Sequence, residues 1–213
     1  MGFILPSTSI EVFIPFNDEV SIAEEDVEYL SITEKPRGKL VVTNYRVAFL
    51  EKLLGTIQVK GTEFNLHSVK VNIGFNNFIS VNYRTERRLF TVSEILEITY
   101  ETREGISRKA LFKVKAKDKG RELLDTIRAA VTKYRSSEGG KKPLIMTSDF
   151  LNFIEYLSLD KAIRPLYFDS VSRCVAVGSS YFCIIDNEWN IDGSPDLVGK
   201  VKLWIEEFLT KKR

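Results

Sequence analysis

Apolar and polar residues alternate along much of the first half of the chain. Ser68 to Ile73 sets Val69, Val71 and Ile73 against Ser68, Lys70 and Asn72, and Phe78 to Tyr83 alternates in the same way. Period two marks a strand with one wet face. Leu40 to Thr43 and Val47 to Leu50 are rich in β-branched and apolar residues, which fit a pleated, half-buried surface. Asn44-Tyr45 lies between them and reads as a tight hairpin turn, because Asn tolerates the left-handed backbone such turns use. The pattern predicts strands over 39–43 and 46–51 joined there, with others over 27–32, 56–59, 68–73, 78–83, 89–92, 95–102 and 109–116. Glu34-Lys35-Pro36-Arg37-Gly38 is a turn, and Arg103-Glu104-Gly105 is the tip of a second hairpin. Ile10 to Ile14 reads as a strand ended by Pro15. The acidic run that follows, Asp18 to Glu28, reads as a solvated loop.

The period then changes. Leu123, Leu124, Ile127, Ala130, Val131 and Tyr134 form one apolar stripe at helical spacing, and Asp118 is placed to cap the helix. Such a stripe must be buried, and the preceding antiparallel strands are the available partner. Ser136 to Pro143 is the best linker, with Gly139 and Gly140 at its centre. Beyond it, Phe150, Phe153, Ile154 and Leu157 mark a helix after Thr147 or Ser148. Leu166 to Phe168, Cys174 to Val177 and Tyr181 to Ile185 read as short strands. Ser194-Pro195 starts a last helix. The expected fold class is α+β: an antiparallel β-barrel or split sheet capped by an amphipathic helix, then a small α+β unit of helix, three-stranded meander and helix. The expected division is 1–138, a linker at 139–143, and 144–213.

One phrase carries a resemblance. Gly38-Lys39-Leu40-Val41-Val42-Thr43-Asn44-Tyr45-Arg46-Val47-Ala48-Phe49 resembles the Gly-x-Leu-x-x-Thr-Asn-x-Arg-Leu-x-Phe text of PH-GRAM domains and of the related GLUE domain of an ESCRT-type sorting complex. Phe90-Thr91-Val92-Ser93-Glu94-Ile95 is loosely similar to a later Pro-Leu-Ser-x-Ile phrase of the same families. The resemblance covers about residues 20–135 and implies the pleckstrin-homology (PH) superfold. In the typical domain the second phrase follows the first closely. Here an apparent insertion at about 55–88 separates them, so the family's ligand loops do not transfer. The resemblance implies a binding module, for anionic lipid or for protein, and gives Arg46 a structural part.

Composition bears on function mainly through charge. The chain of 213 residues is 44% hydrophobic and 28% charged, with a net charge of +2. No apolar run approaches the ~20 residues that span a bilayer. The N-terminus lacks the charged lead and long apolar stretch of a signal peptide. Together these imply a cytoplasmic protein that meets membranes peripherally. The two cysteines, Cys174 and Cys183, are then expected as a reduced pair. Basic residues concentrate in 103–121. Lys113, Lys115 and Lys117 share one side of a strand, with Arg108 and Lys109 close by. Arg84, Arg87 and Arg88 form a second cluster, expected in a loop. Rows of this kind suit phosphates of a lipid headgroup, at about 1 kcal/mol per base near a charged surface. They equally suit the solvated face of an edge strand, where Lys discourages aggregation.

Phe75, beside Asn76-Asn77, and Trp189, among Asn187, Glu188 and Asn190, are the candidate contacts to a membrane or a protein partner. Each is also a candidate core residue. No phosphate-cradling loop, dinucleotide fingerprint or nucleophile elbow occurs. The single histidine, His67, has no companions at metal-ligand spacing. No catalytic residue, metal or cofactor is assigned, and no nucleic-acid module is found. The leading expectation is a non-enzymatic module that reads phosphoinositide-like membrane surfaces. The alternative is a protein-interaction scaffold of a membrane-trafficking complex, for ubiquitin or a subunit.

Overall fold

A computed structural model describes residues 9–59, 62–88, 91–102, 104–115, 118–137, 147–163, 165–185 and 190–211. Among these residues the fold is α+β, with two mostly antiparallel sheets and three helices. The expected linker, 139–143, lies outside the described residues. The strands are β1 (Ile10–Glu11), β2 (Ser21–Tyr29), β3 (Arg37–Thr43), β4 (Arg46–Val59), β5 (Thr62–Gly74), β6 (Phe78–Arg88), β7 (Thr91–Glu101) and β8 (Ser107–Val114). Helix α1 (Lys119–Ser136) and helix α2 (Thr147–Asp160) follow. The chain ends in β9 (Tyr167–Asp169), β10 (Cys174–Val177), β11 (Ser180–Ile184), β12 (Ile191–Gly193) and α3 (Pro195–Lys211). Two compact units emerge. One holds Asn17–Lys52 and Val69–Lys142; the other holds Met1–Phe16, Leu53–Ser68 and Pro143–Arg213.

In the first unit the sheet order is β5-β4-β3-β2-β8-β7-β6, an open sheet to which β4 and β5 contribute their near ends. The α1 stripe lies where its period predicts. Leu123, Leu124, Ile127, Ala130 and Val131 are buried with Val81, Leu96, Ile98 and Phe112 in one core. The cap of α1 differs from expectation. Asp118 stands at the N-cap with φ 65° and makes no side-chain capping bond. Glu94 of β7 supplies the carboxylate instead, accepting from the backbone N–H of Asp118 (3.0 Å) and Gly120 (2.8 Å) and from the Tyr83 hydroxyl (3.1 Å). A negative group at the positive end of a helix is favourable, and here it also satisfies orphan donors. A Cβ on Gly120 would lie 2.9 Å from that carboxylate and 2.8 Å from the Tyr83 ring, so glycine leaves the room the cap needs. Glu94→Ala is therefore expected to cost about 2 kcal/mol. Asp118→Gly, which relieves a left-handed non-glycine backbone, is expected to cost nothing. Urea denaturation of the two variants checks the order, which reverses if Asp118 is the cap.

The acidic run is not a loop. Residues 21–29 form β2, and Glu19 just before it is buried. The hairpin of β3 and β4 is as expected, with Leu40 opposite Phe49 and Val42 opposite Val47. Its turn works otherwise than the sequence suggests, because neither Asn44 nor Tyr45 has positive φ. The Asn44 amide instead ties the turn to the preceding segment. It accepts from Val20 N–H (2.8 Å) and donates to the Asp18 carbonyl (3.0 Å). The Tyr45 hydroxyl donates to Asp18, and burial followed by that carboxylate pushes the phenol up to about 12.

In the second unit the sheet order is β1-β9-β10-β11-β12. Phe168, Val175 and Phe182 are cross-strand partners on one face and pack with Phe153, Ile154, Leu157, Val201 and Ile205 of α2 and α3. The other face carries Cys174 against Val12, Ile14 and Leu66, with Leu54 beside them. Residues 1–16 and 53–68 group with 143–213 in this unit. The first of these adds β1 parallel to β9, and Ile14 N–H donates to the buried Asp169 carboxylate at 2.7 Å. The apparent insertion is the far part of the β4–β5 pair together with the rest of β5 and β6. The expected reduced cysteines are instead a disulfide, because Cys174 and Cys183 are directly opposed on β10 and β11 with Cα atoms 4.0 Å apart.

Candidate functional site

The basic residues sit on β6 and in or just after β8, the two strands that flank β7, and register decides which of them meet. Directly opposed residues of an antiparallel pair share a face. Glu28, Lys113, Ile95 and Arg84 form one such row from β2 to β6, and Lys109, Thr99 and Ser80 form another. Ala110, Phe112 and Val114 point into the core, so Lys109, Lys113 and, by alternation, Lys115 point away from it. Arg84, Lys109, Lys113 and Lys115 thus share the outer face.

The same alternation removes two members of the predicted set. Residues 84–88 are strand, not loop. Arg87 stands three places from Arg84 and so belongs to the opposite face. Arg108 pairs with Tyr100, which packs against the core, and so also lies on the inner side. The side chain of Arg88, together with Lys117 and Trp189, lies outside the described residues. Phe75 is no surface contact. It is buried, with its ring 5.6 Å from that of Tyr134 and 6.3 Å from that of Phe78. A tight turn, in which Asn77 N–H donates to the Gly74 carbonyl at 2.9 Å, tucks it inward.

Acidic neighbours shape what remains on the outer face. Glu97 lies between the two rows and pairs with Lys109 at 2.8 Å and with Arg84 at 3.7 Å, while Glu86 holds Arg84 at 3.1 Å. Exposed pairs of this kind contribute up to about 1 kcal/mol each. Lys113 and Lys115 make no ion pair among the described residues. Lys109 and Lys113 are about 13 Å apart along β8, too far to converge on one phosphate. Among the described residues the face is a charged surface.

One end of this sheet has a different character. β2 and β8 are antiparallel, with Tyr29 opposite Phe112 and Leu30 N–H donating to the Leu111 carbonyl. The turn after β2 and the turn before β8 therefore sit at the same end. Ser31 and Glu34 close the first turn, which leaves Ile32 fully exposed at its apex. Gly105, at φ 73°, shapes the second, and Ile106 beside it is half exposed. Lys35, Arg37, Arg108 and Lys109, each close in sequence to one of these isoleucines, are exposed, as are Glu34 and Glu104. By its pattern Ile32 is the end of a strand over 27–32. Its isolation between Ser31 and Thr33, just before a Pro turn, was the available signal.

No family model matches the chain, and no curated protein matches it. Among solved structures it is similar to the C-terminal domain of an unknown protein from Leishmania infantum. That match has 10% identity and a TM-score of 0.35, and covers 54% of this chain and 85% of the other. Among the described residues no group of three His, Cys, Asp or Glu side chains could hold a metal, and no helix is long and apolar enough to cross a membrane.

Proposed function

We propose that the protein is a non-enzymatic binding module of the PH-like class that attaches peripherally to anionic membranes. The class reading rests on the Gly38–Phe49 phrase, the strand order β5-β4-β3-β2-β8-β7-β6 and the amphipathic α1 that follows β8. The observation that carries the membrane reading is the sheet end where Ile32 and Ile106 are exposed, with exposed Lys35, Arg37, Arg108 and Lys109 close to them in sequence. Apolar tips enter the interface while cations beside them meet lipid phosphates. The outer-face Lys113 and Lys115 add long-range attraction, screened beyond about 10 Å at 0.1 M salt.

Vesicle sedimentation tests this. The protein is expected to pellet with phosphatidylcholine vesicles containing a phosphoinositide and not with phosphatidylcholine alone. Arg108→Ala and Lys109→Ala should each weaken binding about five-fold, and Ile32→Glu should abolish it. Equal pelleting with both vesicles, or an undiminished response of Ile32→Glu, overturns the reading. The alternative of a protein scaffold anchored by Phe75 loses that anchor, because the ring is buried.

A further inference from the structure

β6 ends its sheet, with β7 on one side and no strand on the other among the described residues. Two arginines of α1 reach its open side. Arg135 donates to the Phe78 carbonyl at 2.8 Å and Arg128 to the Val81 carbonyl at 3.4 Å. The Val81 carbonyl therefore faces outward. Backbone groups of a strand alternate in direction, so Tyr83, Thr85 and Arg87 also turn their N–H and C=O outward. Asn82, Arg84 and Glu86 turn theirs toward Glu97, Ile95 and Ser93 of β7. The arginines cover the start of this edge. From Tyr83 to Arg87 it has no proline and no bulge, and no described backbone group bonds to its open side. An edge of this kind is a template for another strand.

Charge specifies what that strand carries. Arg121, Arg128 and Arg135 stand seven residues apart on α1, hence along one helix face, and all three are exposed. Arg87 faces the same side of β6 as Tyr83, the side that packs on α1. Asp125 is the acid on that helix face. Guanidinium groups take carboxylates bidentately. The chain's own acidic stretch is already used: Glu19 pairs with Arg46, Glu24 with Lys39 and Glu28 with Arg37 within or beside β2.

We infer that β6 and the arginine face of α1 together form a docking site for an extended acidic segment of a partner protein. That segment adds as a strand along Tyr83–Arg87 and sets its carboxylates against Arg87, Arg121 and Arg128. The backbone ladder supplies affinity and the arginines supply selectivity. This site is independent of the isoleucine-tipped end of the sheet.

The test uses the full chain and a fluorescent peptide of about nine residues alternating glutamate and valine, long enough to span the ~20 Å edge. Binding by anisotropy is expected at low salt. It should fall about ten-fold or more in Arg121→Glu/Arg128→Glu and when alternate peptide amides are N-methylated, which keeps the charge and removes the ladder. On binding, the amides of Tyr83, Thr85 and Arg87 should gain exchange protection, while those of Asn82, Arg84 and Glu86 are protected beforehand. Thr85→Pro, which removes an N–H that no described residue uses, should weaken the peptide and leave the melting temperature unchanged. An N-methylated peptide that binds as well as its parent, or binding untouched by the arginine reversals, overturns the proposal. So does binding of anionic vesicles through Arg121 and Arg128 without any binding of the peptide. Ile32→Glu should leave the peptide unaffected, so failure here and failure of the membrane reading are separable.

Discussion

Arg46→Met is expected to lower the unfolding free energy by about 3–5 kcal/mol, the largest loss of any single substitution considered. The side chains of Arg46 and Glu19 are both fully buried. The guanidinium grips the carboxylate through Nε and Nη2, each at 2.8 Å, and its Nη1 donates to Asn72 at 3.3 Å. The Thr43 hydroxyl donates to the same carboxylate at 2.8 Å. Removing the cation leaves an anion in a dry site, and the full desolvation cost then falls on the folded state. Removing both charges does not. Glu19→Leu added to Arg46→Met should recover most of the loss, because an apolar pair of similar volume needs no compensation. Urea denaturation of the two single variants and the double variant checks this. A loss below about 1 kcal/mol for Arg46→Met alone would place the pair in the range of exposed ion pairs and contradict its burial.

Gly38→Ala is expected to cost about 3 kcal/mol. The added Cβ would fall 2.1 Å from the Leu50 carbonyl oxygen and 2.9 Å from a ring carbon of Phe49. Phe49 cannot retreat. It is fully buried, with its ring 5.7 Å from Tyr29 and 5.8 Å from Phe112. Gly38 is also paired with Val27 of β2, so the backbone is held from both sides. Gly199→Ala in α3 is the matched control. Nothing lies within 4 Å of a Cβ there, and alanine in a helix interior should stabilise by about 0.5–1 kcal/mol. Thermal melts should shift in opposite directions for the two variants. Equal shifts would mean that Gly38 is tolerated for chain entropy and not for space.

Both predictions fall on the phrase that carried the resemblance, and this explains why it was legible. Its residue types state their own constraints: Gly38 fits between two strands, Asn44 makes a turn and Arg46 is a cation in a run of apolar residues, although the carboxylate it meets lies 27 positions away. The phrase is a structural device. The membrane-facing candidates were legible as residue types and not as a surface. Strand alternation could have separated Arg84 from Arg87, but only once 78–88 was known to be strand throughout. The neutralising part of Glu97 had no local signal, since it depends on which strands flank β7. The arginine face of α1 was readable as a seven-residue spacing, yet it gained meaning only from the open edge beside it.

By itself the sequence determined element type and solvent face wherever a period ran long enough. The strands of 39–51, the stripe of α1 and the helices α2 and α3 follow from side-chain periodicity, because burial of one face is a local demand. Tertiary structure alone decided the rest. It took the cap of α1 from Glu94, joined 1–16 and 53–68 to the C-terminal unit, linked Cys174 to Cys183 and turned Phe75 inward. The cap, the joined segments and the Phe75 packing depend on partners distant in the chain, and the disulfide depends on the β10–β11 register. Strand register and edge position, which fix such partners, have no representation in local pattern.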